Sequence, residues 1–261
     1  MVFDYLSRYP EVLQSCSLVS QAWTSPSQSR LFATRWIIVS SSDDLDSFTA
    51  FLFESPHIAP YITRFLIQPD VPEATSEVTA LFNRSIVLAA TRLARLKFLE
   101  LWYFPYLSLG SGTCEVLIHG LQSLRSITLA YATFGEITQG LYDLLAGHSD
   151  LRQLTLQDIS EVDGDEPEVV VRYVAHGQLQ IRTIWLENVG QEVIRGLSRC
   201  LSAASNTSVT RLSLSLSEEC ALAASKLLVT LGSTLQHLQF ILYSLLDHSA
   251  EWVEGIVPLS A

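Results

Sequence analysis

The residue types in this chain that could do chemistry do not stand at the spacings chemistry needs. Asp158, Glu161, Asp163, Asp165, Glu166 and Glu168 form an acidic run dense enough to raise the question of calcium. An EF-hand loop with Gly164 at its sixth position would begin at Ile159 and end at Val170, where carboxylates are required, so the run reads as a solvated loop. Gly147-His148-Ser149 opens like a nucleophile elbow, but Leu151 replaces the final glycine and the segment precedes a strand instead of following one. Cys114 and His119, if helical, point about 140° apart around the axis and do not face each other. His57, His148, His176 and His248 lack the spacing of metal ligands. No motif pairs two carboxylates, and no glycine-rich loop could cradle a phosphate. The sequence therefore assigns no catalytic residue, no metal ligand and no cofactor, and it predicts a chain that is not an enzyme.

The elements that would position a site are more informative. One pattern recurs: an apolar residue, two variable, an apolar, one variable, an apolar. It is met at Ile62/Phe65/Ile67, Leu96/Leu99/Leu101, Leu124/Ile127/Leu129, Leu151/Leu154/Leu156, Ile181/Ile184/Leu186, Val209/Leu212/Leu214 and Leu235/Leu238/Phe240. In a chain that is 48% hydrophobic a single match carries nothing; the regular interval does. Successive starts lie 34, 28, 27, 30, 28 and 26 residues apart, in the range of leucine-rich repeats with one strand and one helix per unit. Trp36-Ile37-Ile38-Val39, followed by a helical segment over 44–54, adds one strand ahead of this series.

Between the strand motifs the apolar residues fall at helical intervals. Leu81, Phe82, Ile86, Leu88 and Ala89 make one stripe over 79–92, and Ile137, Leu141, Leu144 and Leu145 another over 136–146, with Gly147 as its stop. Val193, Ile194, Leu197 and Leu201 predict a helix over 190–204. Ser217 is placed to cap a helix opening with Glu218 and Glu219, and Gly232 to close it. Alternating strand and helix argue for parallel strands with helices outside. The fold expected is α/β: a leucine-rich-repeat-type solenoid over 35–261, strands concave and helices convex, behind a short helical cap over 1–34. In that cap Val12, Leu13, Cys16, Leu18, Val19, Ala22 and Trp23 are apolar at helical intervals, Pro26 ends the pattern, and Trp23 reads as core. Near the other end, Leu238 and Phe240 should be covered by 243–257 or left as an association-prone edge.

Composition narrows the function classes. A net charge of −11 with basic residues scattered along the sequence leaves no nucleic-acid footprint. No apolar run survives long enough to span a membrane. Four cysteines far apart, with no basic and apolar leader at Met1, predict an intracellular chain, cytoplasmic or nuclear.

The cap carries a more specific signal. Val2-Phe3-Asp4-Tyr5-Leu6, then Val12-Leu13-x-x-Cys16-Ser17-Leu18-Val19-Ser20-x-x-Trp23, resembles the later two-thirds of an F-box. The continuation through Arg30-Leu31-Phe32 and Ser55-Pro56-His57-Ile58-Ala59-Pro60-Tyr61-Ile62 is similar to fungal F-box-like proteins with degenerate leucine-rich repeats. The F-box's usual leucine-proline-x-glutamate opening has no counterpart here, and Ser20 stands where the family often has cysteine. Leucine-rich repeats also place Asn or Cys three residues beyond the last strand leucine, forming a buried ladder. Here those positions hold Asp70, Phe104, Ala132, Ile159, Val189, Ser217 and Tyr243, so the backbone turns must be satisfied otherwise.

The resemblance implies a substrate-recognition subunit of a Skp1–cullin–F-box ubiquitin ligase. The helical cap would dock a Skp1-type adaptor through Leu6, Pro10, Leu13 and Leu18, and the concave face would hold an unidentified target protein. The alternative is a repeat-protein scaffold that no longer binds the adaptor. Strand alternation turns Arg64, Leu66, Phe98, Glu100, Trp102, Trp185, Glu187 and Arg211 outward. Tryptophan and arginine favour interface anchors, so Arg64, Phe98, Glu100, Trp102, Trp185, Glu187 and Arg211 are the candidate partner-binding residues. The tryptophans could equally fold over neighbouring strands as local packing.

Overall fold

The computed structural model describes residues 8–71, 75–134, 141, 143–145, 147–161, 180–203, 208–243 and 255–258. Two helices open it, α1 (Pro10–Val19) and α2 (Gln21–Thr34). Then come β1 (Ile37–Val39), α3 (Ser42–Glu54), β2 (Arg64–Ile67), α4 (Ser76–Arg92), β3 (Phe98–Trp102), α5 (Ser111–His119) and β4 (Ser126–Ala130). They are followed by β5 (Gln153–Gln157), β6 (Thr183–Glu187), α6 (Gln191–Ala203), β7 (Arg211–Ser217), α7 (Ala221–Leu231), β8 (His237–Tyr243) and β9 (Gly255–Pro258). Of the segment expected as a helix over 136–146, residues 141 and 143–145 are helical, as is Gly147; the rest lies outside the described residues.

The strands form one nine-stranded sheet in strict chain order. Every pairing from β1 to β8 is parallel and in register, so that Leu101, Leu129, Leu156, Leu186 and Leu214 stand side by side on successive strands. A parallel sheet in strict chain order steps the same way at each connection, and right-handed crossovers, the rule for such units, would bring the connecting helices to one face. Burial agrees: Phe65, Ile67, Leu99, Leu101, Ile127, Leu129, Leu154, Leu156, Ile184, Leu186, Leu212 and Leu214 are at most 2% exposed. They join one core with Phe82 and Ile86 of α4, Leu117 of α5, Ile194 and Leu197 of α6, and Leu227 of α7. The other sheet face carries no helix among the described residues.

Local chemistry sets the helix ends. Ser41 Oγ accepts from Asp44 N at 3.2 Å while Asp44 Oδ2 accepts from the Ser40 and Ser41 amides at 3.1 Å, a capping box that starts α3 three residues before Leu45, its first apolar residue. Thr75 caps α4 through Val78 N at 3.2 Å. Ser217 does not cap as expected: its side chain makes no capping bond, the acidic turn Glu218–Cys220 is a 3-10 helix, and α7 starts only after it. Gly232 ends α7 with φ at +44°, where an L side chain is strained. Gly147 serves a different purpose. A Cβ there would lie 2.2 Å from the Ile118 carbonyl oxygen, so the residue permits a close backbone approach.

The turns that lack an Asn or Cys ladder are satisfied by a backbone device. Tyr103, Tyr131, Asp158 and Asn188, each the residue just past a strand, have φ between 48° and 56°. In that left-handed conformation each amide donates sideways to the neighbouring strand, to the carbonyls of Ala130, Gln157, Glu187 and Ser215, at 2.8–2.9 Å. The residue that follows turns back into the core: Phe104, Ala132, Ile159 and Val189 are at most 3% exposed. Apolar packing thus occupies the positions that a polar ladder would fill.

The cap differs from expectation in three respects. Pro26 does not end a helix; extended Ser20 divides the segment, and Pro26 lies inside α2. The helix survives the lost bond because it is anchored elsewhere, by Phe32 packed on Phe51 at 6.1 Å and by the Ser25 and Tyr61 hydroxyls at 2.9 Å. Trp23 is not core, being 47% exposed. Leu13 is fully buried and cannot face a partner; with Cys16 it holds α1 against α2. At the far edge β9 pairs antiparallel with β8, setting Leu238 against Val257 and Phe240 against Gly255, while residues 244–254 of the expected cover lie outside the described residues.

Candidate binding face

The in-register strands divide the seven outward candidates into two groups. Arg64 on β2 is directly beside Phe98 on β3, with Glu100 and Trp102 further along the same strand. Trp185 and Glu187 on β6, with Arg211 on β7, lie three to four strands away, about 14–19 Å at the usual strand spacing.

In the first group the Arg64 guanidinium lies 4.7 Å from the Phe98 ring centroid and 5.6 Å from that of Trp36, a residue ahead of β1. Cation–π attraction holds the arginine head between two rings, and its Nε is buried with no hydrogen-bond partner among the described residues. The Trp102 indole nitrogen is likewise buried and unpartnered. Glu100, half-buried beside them, has its carboxyl pushed above the ordinary value by burial. The Trp102 indole N–H, which falls short of a well-formed hydrogen bond, and the Arg64 charge pull it back. Buried donors without partners cost free energy, so the Arg64 Nε and the Trp102 indole N–H are costs that the aromatic packing of this corner offsets, while the half-buried Glu100 carboxylate stands beside them.

The rail of left-handed residues continues this corner along the sheet's C-terminal rim. Tyr131 stacks on Tyr103 at 5.0 Å and tilts against Trp102 at 6.0 Å, with 39% of it exposed. The Asp158 carboxylate, the largest influence on it, pushes the Tyr131 phenol above its ordinary value, and Asp158 accepts from Asn188 Nδ2 at 2.5 Å. Trp36, Tyr103, Tyr131 and Asn188 were not among the sequence candidates. A signal existed for the last three, since each stands seven residues after the first apolar residue of its repeat.

The two tryptophans resolve differently. Trp102 is half-buried against Tyr131 and packs locally, whereas Trp185 is 51% exposed between the small side chains of Thr155 and Ser213. Glu187 and Arg211 are exposed as well. Leu66, expected outward, is only 8% exposed. Of the cap candidates, Leu18 is 84% exposed and Pro10 half-buried at the first turn of α1, where its missing N–H is harmless; Leu6 lies outside the described residues.

Nothing described outside this face gathers reactive groups. Cys16, Cys200 and Cys220 are buried, and burial pushes the Cys200 thiol up to about 12 and Cys114 upward, disfavouring a thiolate nucleophile. His148 is buried with Nε2 2.9 Å from the Leu117 carbonyl, a tie between elements. A hollow lined by Leu93, Leu96, Gly120, Leu121 and their neighbours has no ionisable side chain. Among the described residues no three His, Cys, Asp or Glu side chains are grouped to hold a metal, and no helix is long and apolar enough to cross a membrane. No protein-family model matches the chain, and no curated protein matches it.

Proposed function

We propose that this chain is a protein-binding module of the F-box-like type: a leucine-rich-repeat-type solenoid over 35–261 that receives a target protein on its helix-free face, and a helical cap over 1–34 that docks a Skp1-type adaptor. In this reading it is the substrate-recognition subunit of a ubiquitin ligase, works in the cytoplasm or nucleus, and leaves the chemistry of transfer to other subunits. The observation that carries it is the order of parts: a two-helix unit presenting apolar side chains to solvent, packed end-on against a run of in-register strand repeats. Leu18 and Val19 are 84% and 70% exposed at the end of α1, with Trp23 and Val12 at 47% and 42%. So many large apolar side chains open on two short helices favour an interface. The opposite role, target capture, draws on Trp185, Glu187 and Arg211 and on the Arg64–Phe98–Glu100–Trp102 corner.

The test is co-expression with a Skp1-type adaptor followed by size-exclusion chromatography. Leu18→Asp is the appropriate control, since Leu13→Asp would put a charge in the seam between α1 and α2 and unfold the cap. Stoichiometric co-elution that Leu18→Asp abolishes is the expected result. A folded chain that elutes alone refutes adaptor docking and leaves the repeat scaffold without it.

A further inference from the structure

Four of the sixteen basic residues, scattered in sequence, come together in space. Lys97, Arg125, Arg152 and Arg182 all occupy the second position of their repeats, immediately before β3, β4, β5 and β6. Backbone bonds lock them into one row. The Lys97 carbonyl accepts from Arg125 N at 2.8 Å and Ser126 N at 2.9 Å, the Arg125 carbonyl from Arg152 N at 2.8 Å and Gln153 N at 3.0 Å, and the Arg152 carbonyl from Arg182 N at 2.8 Å and Thr183 N at 3.0 Å. The three arginines are exposed and Lys97 half-buried, and none of the four has an ion pair among the described residues. The fold does not require cations there, because Thr63, Thr210 and Gln236 fill the same position in the flanking repeats. Four like charges on adjacent strands repel one another and offset no anion of the described chain.

We propose that this row, along the N-terminal rim of the sheet, is a docking site for an acidic peptide segment of the target protein, lying across the strands. At about 4.8 Å per strand the row is about 14 Å long. An extended peptide repeats its same-side residues every ~7 Å, so acidic side chains at positions i, i+2 and i+4 span the same length and meet the four cations. The fit favours a short peptide over a nucleic acid. A net charge of −11 repels a long polyanion, and four cations release too few counterions to overcome that repulsion. The carboxylates of Asp158 and Glu187 lie at the other ends of their strands, away from this rim. The proposal rests on the reading of the chain as a target-binding module but not on adaptor docking.

Fluorescence anisotropy of a labelled peptide of alternating Glu and Gly, added to the full chain without adaptor, tests it separately. The R125E/R152E/R182E variant should bind at least about tenfold more weakly than the unchanged chain, with binding fading at high salt. The equally charged R92E/R199E/K226E variant, changed on exposed helix positions, should stay within about twofold. Should the reversal variant fail to fold by circular dichroism, R125Q/R152Q/R182Q takes its place with the same direction of effect. Absence of peptide binding, equal loss in the rim and helix variants, or tighter binding of a single-stranded oligonucleotide of equal charge would each overturn the proposal.

Discussion

Asn188 is the position where the account of the turns can be tested by stability alone. Its φ of 48° is left-handed, its amide donates to the Ser215 carbonyl at 2.8 Å, and its side chain donates to Asp158 at 2.5 Å. Valine keeps the amide but cannot adopt this conformation cheaply. A β-branched side chain there costs about 1–2 kcal/mol, and the lost bond to an exposed carboxylate adds about 0.5–1, giving a destabilisation of about 2–3 kcal/mol. Glycine loses the same side-chain bond yet adopts positive φ freely. That relief roughly offsets the extra freedom of its unfolded chain, so Asn188→Gly should stay within about 1 kcal/mol of the original. Equilibrium urea unfolding, followed by tryptophan fluorescence and far-ultraviolet circular dichroism, resolves a gap of this size. Equal destabilisation by Val and Gly would show that the side chain, not the left-handed backbone, matters, and would refute the reasoning.

Three further outcomes follow from the same structure. Gly147→Ala places a methyl group 2.2 Å from the Ile118 carbonyl oxygen and should lower stability by about 2 kcal/mol in a thermal melt, whereas Gly190→Ala, with nothing within 4 Å, should leave the midpoint unchanged. Burial lowers the His148 pKa from 6.5, so the unfolded chain takes up the proton first: the contribution is intact above pH 6.5 and is lost as pH falls toward the folded value. Urea midpoints measured across that range should fall in the original chain and flatten in His148→Gln. Trp102→Ala should cost about 2 kcal/mol through its contact with Tyr131, while Trp185→Ala should change stability by less than about 0.5 and act only on partner binding, both read as shifts in the urea midpoint.

The strands were legible because their signal is local. A period-two pattern such as Leu99/Leu101 sits within one short segment, and the interval between copies, not the copies themselves, revealed the alternation of strand and helix. The helix over 190–204 was legible for the same reason and forms as Gln191–Ala203. What escaped depends on lateral neighbours. Nothing near Trp36 announces that it and Phe98 bracket Arg64 across two strand pairings. Trp23 lies at a helical interval with Leu13 and Cys16, but α1 and α2 are two helices separated by an extended serine, so the stripe does not continue across the break. The rim cations and the left-handed rail recur at fixed repeat positions, so aligning the repeats column by column, without any homologue, would have exposed both.

The claim that the two ends of this chain serve different partners is tested most directly by hydrogen exchange, measured on the full chain alone and with a Skp1-type adaptor. The account predicts new protection confined to α1 and α2, at the amides around Leu18 and Trp23, with exchange along β3 to β7 unchanged. Protection spread over the strands, or no change anywhere, would contradict it.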